Sequence, residues 1–123
     1  MVKIKKIHGD YSGLFASQRI DKNQLILVLN GEGFDEPTQT SIQVRDKHVE
    51  DVNGAFMNHH CDPSAVIVVV ELIKEGLVVA RRKIEEGEEI TFDYETTEEH
   101  MAEPFHCECH GRLIEGWNSF KRV

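Results

Sequence analysis

The sequence is short of the features that would place it in several common classes. It has three cysteines, an odd number that cannot by itself close a disulfide framework. No apolar run approaches the roughly 18–20 residues of a membrane-spanning helix, and the longest, AVIVVV at 65–70, is the length of a strand. The first ten residues, MVKIKKIHGD, carry charge without the apolar stretch of a secretory signal. These absences lead to the expectation of an intracellular protein, cytoplasmic or nuclear, with no membrane partner and with thiols that are free or metal-bound. Basic residues are scarce too: 14 Lys and Arg stand against 22 Asp and Glu, a net charge of −8. A phosphate backbone needs a basic patch, so direct nucleic-acid binding is not expected. Within 71–115 there are 13 acids and 5 bases. That bias suits a cationic partner such as a Lys/Arg-rich peptide, and equally a solvated acidic face. Nucleotide-binding glycine loops, serine nucleophile elbows and paired helical histidines are also missing.

What is present reads as one mainly β domain of 123 residues. Short β-branched or apolar runs recur at 2–7, 14–16, 25–29, 65–70, 77–80 and 90–92, punctuated by Gly9, Gly13, Asn23, Gly31, Gly33, Pro63, Gly76 and Gly87. ELIKEGLVVARR (71–82) reads as two strands around a Lys-Glu-Gly turn. TTEEHMAE (96–103) reads as a single helical turn capped by Thr97 and stopped by Pro104. RIDKNQLIL (19–27) and KIEEGEEIT (83–91) echo each other: Asn23 and Gly87, the types most tolerant of positive φ, each precede a strand. Residues 30–53 show little strand pattern and read as a functional insert or loop.

Two clusters hold soft ligands. FMNHHCDPSA (56–65) contains two adjacent histidines and Cys61, and residues 105–110 read FHCECH. Neighbours on an extended strand face opposite ways, so His59 and His60 do not readily share a metal. The thiols Cys61, Cys107 and Cys109 plus a histidine would make a tetrahedral zinc set, although the spacing matches no common zinc finger.

Three stretches in order, GDYSGLFA (9–16), FMNHHCDPSA (56–65) and GEEITFDYETTEEHMAEPFHCECHGRLIEGW (87–117), resemble a SET domain. The pairing of Asn-His-x-Cys-x-Pro with Gly-Glu-Glu-Ile-Thr-Phe-Asp-Tyr is specific, and the likeness covers nearly the whole chain, closest to small stand-alone SET proteins. The resemblance implies a fold of small β-sheets with a knot-like C-terminal crossing and few short helices. It divides the chain into a SET domain at 1–104, with 30–53 as a short substrate-side insert, and a post-SET-like tail at 105–123. It implies an S-adenosylmethionine-dependent methyltransferase acting on lysine side chains of a protein, in a basic segment such as a histone's. A SET-like module that binds without catalysing is the alternative.

Residue by residue, the resemblance makes Tyr94 the catalytic tyrosine and Phe92 the aromatic that governs methylation degree, here leaving room beyond one methyl. It assigns Asp10, Tyr11, Ser12 and Gly13 to the first cofactor loop, Asn58 and His59 to the cofactor pocket, and Phe105 to the adenine, with Trp117 as a second aromatic. Tyr11 stands where the family usually has glycine, and Ser64 where it has asparagine. It makes Cys61, Cys107 and Cys109 zinc ligands. Post-SET tails usually read Cys-x-Cys-x₄-Cys, but Ile114 occupies the third cysteine's place, so His106 or His110 is expected as the fourth ligand. Without metal, Phe105, Trp117 and Phe120 would have to pack the tail.

Overall fold

The computed structural model describes residues 1–117; Phe120 lies outside the described residues. Among the described residues, twelve strands form four small sheets, joined by two single 3₁₀ turns at Gly54–Phe56 and Tyr94–Thr96.

The first sheet carries the site. β1 (Val2–His8) and β2 (Tyr11–Ala16) form a hairpin whose turn, Gly9–Asp10, uses Gly9 at φ 50°. β10 (Glu89–Phe92) adds antiparallel to β2, and β7 (Asn58–His59) adds parallel to β10, pairing Thr91 with Asn58 and Phe92 with His59. Parallel neighbours need a long connection, so residues distant in sequence meet here. The two longest motifs of the sequence become adjacent strands.

The second sheet has the order β3–β9–β8, with β3 at Leu25–Leu29, β8 at Ala65–Val70 and β9 at Glu75–Ala80. The expected hairpin exists but is displaced. Its first strand is AVIVVV, and Glu71, Leu72, Ile73 and Lys74 form the turn. Leu72 is 93% exposed, and Lys74 supplies the left-handed residue at φ 57°; apolar character at 72–73 reflects no burial. The third sheet, β4 (Gly31–Phe34), β5 (Ile42–Val44) and β6 (Lys47–Asp51) in the order β4–β6–β5, fills the segment read as loosely patterned. Side chains tie it together: Thr38 and Thr40 hydroxyls both donate to Glu50 Oε1, and Asp51 accepts from the backbone N–H groups of Asn30, Asn53 and Gly54.

The fourth sheet pairs β11 (His100–His106) with β12 (Leu113–Gly116). The helical turn expected at 96–103 is instead a 3₁₀ turn at Tyr94–Thr96, capped by Asp93, whose carboxylate accepts from Glu95 N–H. Pro104 sits inside β11, where the register breaks between His100 and Phe105, the kind of irregularity that spares a proline's missing N–H.

The echoed segments meet around a local two-fold. Ile20 and Ile84 exchange backbone hydrogen bonds at 2.8 Å. Asn23 N–H donates to Ala80 and Gly87 N–H to Ala16, each at 2.8 Å, while Ala16 and Ala80 donate to Glu88 and Gln24, each at 2.9 Å. Asn23 and Gly87 adopt φ 70° and 89°. Ala16, Ile20, Ala80 and Ile84 are all fully buried and, with Leu14, Met57, Val78, Ile90 and Phe92, form the centre of the core.

Candidate active site

The site forms where β2, β7 and β10 converge. Asn58 is fixed by two donations from its amide nitrogen, to Ser12 C=O at 3.0 Å and to Glu89 Oε2 at 2.7 Å. Gly13 lies buried between them: a Cβ there would sit 2.7 Å from Glu89 Oε2 and 3.1 Å from Asn58 Nδ2. Tyr11 stacks on His8 with centroids 5.1 Å apart and stays 40% exposed. Burial, then the charges of Glu89 and Glu108, raises its phenol above the ordinary range. Asp10 lies in the exposed hairpin turn, outside this cluster. Tyr11, Ser12 and Gly13 belong to strand β2, so the expected loop is a strand end.

Ser64 holds the motif to β10. Its hydroxyl donates to Glu89 C=O and accepts from Thr91 N–H, while Ser64 N–H donates to Thr91 Oγ1. This buried polar group is satisfied on every side, which removes its desolvation penalty.

Tyr94 follows β10 directly. Its hydroxyl donates to the buried Met57 C=O at 2.6 Å. Burial first, then the fields of Tyr11, Glu98 and Glu89, raises its pKa far above the ordinary 10. The phenol therefore keeps its proton at physiological pH. Phe92, 2% exposed, packs on Tyr94 with centroids 4.8 Å apart, and Phe105 meets Tyr94 edge-on at 5.9 Å. Phe92, Tyr94 and Met57 form one wall of a pocket whose other walls are Thr38 and Ile42 from the insert and Met101 from β11, with the buried Glu98 also lining it. Glu98 Oε2 accepts from Gln43 N–H and the Thr97 hydroxyl.

His59, edge-on to Tyr94 with ring centroids 5.3 Å apart, leads to the thiols. Cys61 Sγ is 3.8 Å from Cys107 Sγ, Cys61 N–H points at Cys109 Sγ at 3.4 Å, and His59 Nε2 is 3.3 Å from Cys61 Sγ. Donor atoms of His59, Cys61, Cys107 and Cys109 all lie within 4.8 Å of one another. The histidine that joins the three thiols is thus His59; His106 and His110 are exposed and stand outside the group. The imidazole of His59 is 1% exposed, its Nδ1 accepts from Tyr94 N–H at 3.1 Å, and Asp93 Oδ1 is 3.6 Å away. Arg112 bridges Cys61 Sγ and the buried carboxylate of Glu95. Burial pushes the Cys61 thiol up to about 11, with Arg112 opposing. Burial acts on Cys107 too, but backbone groups of Arg112 and His110 and the neighbouring thiols bring it down to about 7. Ile114, at the missing cysteine's position, is fully buried opposite Phe105. Trp117 is 54% exposed.

Sequence reasoning passed over Glu89, Glu95, Glu98 and Arg112. Glu89 stands inside the quoted Gly-Glu-Glu-Ile run, but adjacent glutamates look alike until a fold separates them. Glu88 pairs outward with Arg82, while Glu89 turns inward to Asn58.

A family profile for the SET domain matches residues 12–95. This stretch is most of the chain and contains β7, β10, Tyr94 and β2 from Ser12 onward, so the chain belongs to the SET-domain family. Among curated relatives, a "Histone-lysine N-methyltransferase, H3 lysine-36 specific" of Candida albicans is 32% identical over 87% of this chain and 15% of its own length. The protein of the same name in Saccharomyces cerevisiae is 32% identical over 85% of this chain and 17% of its own. A "Histone-lysine N-methyltransferase, H3 lysine-4 specific" of Schizosaccharomyces pombe is 29% identical over 85% and 14%. The chain therefore spans about one-sixth of these relatives' length. Among the described residues, no helix is long and apolar enough to cross a membrane.

Proposed function

We propose that this chain is an S-adenosylmethionine-dependent protein-lysine N-methyltransferase domain. The observation that carries it is Tyr94: a partly buried phenol, anchored to Met57 C=O, that walls a pocket with Phe92. The cluster of Gly13, Asn58 and Glu89 lies on the same sheet. The names of the relatives support the same chemistry.

When bound, the cofactor would supply a methyl group activated by its sulfonium, for transfer to an unprotonated lysine nitrogen held by this chain's residues. The chain's own task is positioning, which can lower such a barrier by several kcal/mol. It must also accept the lysine as a free amine, which in water at pH 7 costs roughly 4.6 kcal/mol. Phe92, Ile42, Met57 and Met101 present apolar surface that strips water from the ammonium and lowers this cost. The Tyr94 hydroxyl spends its proton on Met57, so its oxygen remains an acceptor toward the pocket, and its retained proton excludes a phenolate base. Phe92 brings no hydroxyl to hold a water or an amine, which leaves space for second and third methyl groups. Asn58, Ser12 and Gly13 take the amino-acid part of the cofactor, with Tyr11 beside them. Phe105 and the backbone of His59 take the rest. Asp10, on the exposed turn, stays outside this group.

The donor set at His59, Cys61, Cys107 and Cys109 fits zinc. A tetrahedral Zn–S shell at about 2.3 Å spaces its sulfurs by about 3.8 Å, the separation between Cys61 and Cys107. Three thiolates and one imidazole around Zn²⁺ carry one net negative charge, and Arg112 stands ready to balance it. The metal would pin Cys107 and Cys109 of the tail to His59 and Cys61 of the domain at 1–104. The substrate is read as a lysine in a basic protein segment, histone-like in chemistry, drawn by the exposed acids of 71–115, such as Glu99 and Glu103.

The test is incubation with methyl-labelled S-adenosylmethionine and histone or lysine-rich peptides. Transfer to lysine supports the reading. Failure to bind the cofactor in calorimetry, with and without zinc, would point to a SET-fold interaction module instead.

A further inference from the structure

Facing walls of the pocket come from different sheets: Thr38 and Ile42 belong to the insert, and Met101 to β11. They are remote in sequence, so the gap between them is set by contacts that cross it. Gln43, next to Ile42, and Glu98, just beyond the Tyr94 turn, make that crossing. Among the described residues β5 pairs on one side only, with β6, and a strand edge leaves N–H groups unpaired. Glu98 meets this edge: its Oε2 accepts from Gln43 N–H at 2.9 Å and from the Thr97 hydroxyl. The contact is returned one residue on, where Glu99 N–H donates to Gln43 Oε1 at 2.8 Å. Gln43 Nε2 donates to Arg45 C=O at 2.9 Å and ties down the β5–β6 turn, where Arg45 takes φ 60°. Gln43 is 6% exposed and Glu98 4%. Buried polar groups persist where they are bonded, and these two are bonded to each other's segments.

Glu98 also reaches the reacting side of the pocket. Its own N–H donates to Tyr94 C=O at 3.0 Å, so a single residue links the insert to the backbone of Tyr94. Behind this segment, a Cβ on Gly116 of β12 would sit 2.3 Å from Glu99 C=O. β12 therefore backs the clasp, and the wall has no room to retreat that way.

We propose that Gln43 and Glu98 are positioning residues that set the width of the lysine pocket, holding the insert at a fixed distance from Tyr94 and Met101. This rests on the methyltransferase reading above and adds to it the device that spaces the walls. Apolar walls strip water from the ammonium only while they stand close to it. Orphaning a buried hydrogen-bond partner corresponds to about 10- to 100-fold in an equilibrium. A clasp closed in only a fraction of molecules weakens peptide binding by that fraction.

The experiment compares wild type, Gln43→Met and Glu98→Gln, with a lysine-rich histone-tail peptide as the probe. Gln43→Met keeps the side chain's length and leaves Glu99 N–H and Arg45 C=O without partners. Glu98→Gln keeps the shape and removes the charge. Per folded molecule, kcat/KM for the peptide should fall about 10- to 100-fold in each variant, chiefly as a rise in KM. S-adenosylhomocysteine affinity should stay within about threefold, and the double variant should lose little beyond the worse single one, since both act on one clasp. A kcat/KM within about threefold of wild type, a loss confined to kcat, or a parallel loss of S-adenosylhomocysteine affinity overturns the proposal. Wild type supplies a test that needs no variant to fold. Coupling is reciprocal, so saturating peptide should slow hydrogen exchange at the Gln43 and Glu99 amides about tenfold or more. Unchanged exchange with peptide bound overturns the clasp. If wild type binds peptide but transfers no methyl, the methyltransferase reading fails, and the exchange measurement still decides the clasp. If it binds no peptide, both fail.

Discussion

Tyr94→Phe removes one oxygen and separates two roles for this side chain. The hydroxyl donates at 2.6 Å to the C=O of Met57, a residue 2% exposed. Phenylalanine fills the same space but leaves that carbonyl without its donor, a cost of about 1–3 kcal/mol. For a domain of this size, about 2 kcal/mol corresponds to a fall in Tm of roughly 6–12 °C. A tyrosine that only builds the core would stop there, with turnover per folded molecule preserved. A tyrosine that orients the amine should lose kcat as well, on the order of 100-fold or more, while S-adenosylhomocysteine affinity stays within about threefold because Tyr94 is not charged with holding it. The assay combines initial rates by mass spectrometry, folded fraction by circular dichroism and affinity by calorimetry. A further signature comes from titration. Burial raises the phenol's pKa in the folded state above the ordinary 10. The folded chain then holds this proton more tightly than the unfolded one, so stability is intact below pH 10 and declines as pH climbs above it. Tyr94→Phe should flatten that decline. If kcat stays within about threefold of wild type while Tm drops as described, Tyr94 is structural and the mechanism is wrong.

Phe92→Tyr places a hydroxyl in the pocket and should shift product from di- or trimethyl toward monomethyl lysine, read by mass spectrometry. A product distribution identical to wild type, or a wild type confined to monomethyl, contradicts the role given to Phe92. Protein purified without added zinc should carry about one zinc per chain. His59→Ala should lower that content severalfold, and His106→Ala and His110→Ala should not; metal loss in either of the latter assigns the fourth ligand wrongly. Gly13→Ala forces a Cβ to within 2.7 Å of Glu89 Oε2, so Glu89 must turn away from Asn58. S-adenosylhomocysteine affinity should fall about tenfold or more, for the loss of a charge-assisted hydrogen bond; an unchanged affinity removes this cluster from the cofactor pocket.

The strands that were legible in the sequence are those with continuous β-branched content or firm turn punctuation, such as β8 and β3. The turns at Asn23 and Gly87 were legible for the same reason, since their backbone needs a residue tolerant of positive φ. What periodicity could not supply was the reach of that echo: each turn bonds the strand end that leads into the other segment, across a local two-fold, a relation fixed only in three dimensions. β4 escaped notice because Gly31, Glu32 and Gly33 have little strand preference, and its sheet is held by Asp51 and Glu50 through side-chain bonds to backbone and hydroxyls. Leu72 and Ile73 misled in the other direction, apolar yet at the tip of a hairpin. Pro104 reads as a stop to any helix, but a strand with a broken register accommodates it equally well.

For the candidate site, motif resemblance singled out Asn58, Phe92, Tyr94 and the three thiols; the fold sets Asn58 beside β10 and the thiols beside His59. It gave no direction for side chains. The imidazole of His59 turns to the sulfurs, because Tyr94 N–H and the rings of Tyr94 and Phe105 fix its plane. The acidic excess of 71–115 looked like one surface property, and it is several. Asp93, Glu95 and Glu98 are buried and accept hydrogen bonds or pair with Arg112, and Glu89 faces Asn58. A charge count cannot distinguish a solvated glutamate from one that holds a tail in place.

Quantitative transfer of labelled methyl from S-adenosylmethionine to a lysine-rich protein substrate, with wild type and Tyr94→Phe side by side, tests the central claim most directly. The account predicts label on lysine side chains with wild type, in forms that include di- or trimethyl lysine, and loss of about 100-fold or more with the variant. Equal label with both proteins, or none with a wild type shown to bind the cofactor and offered histones and a whole lysate, would contradict it.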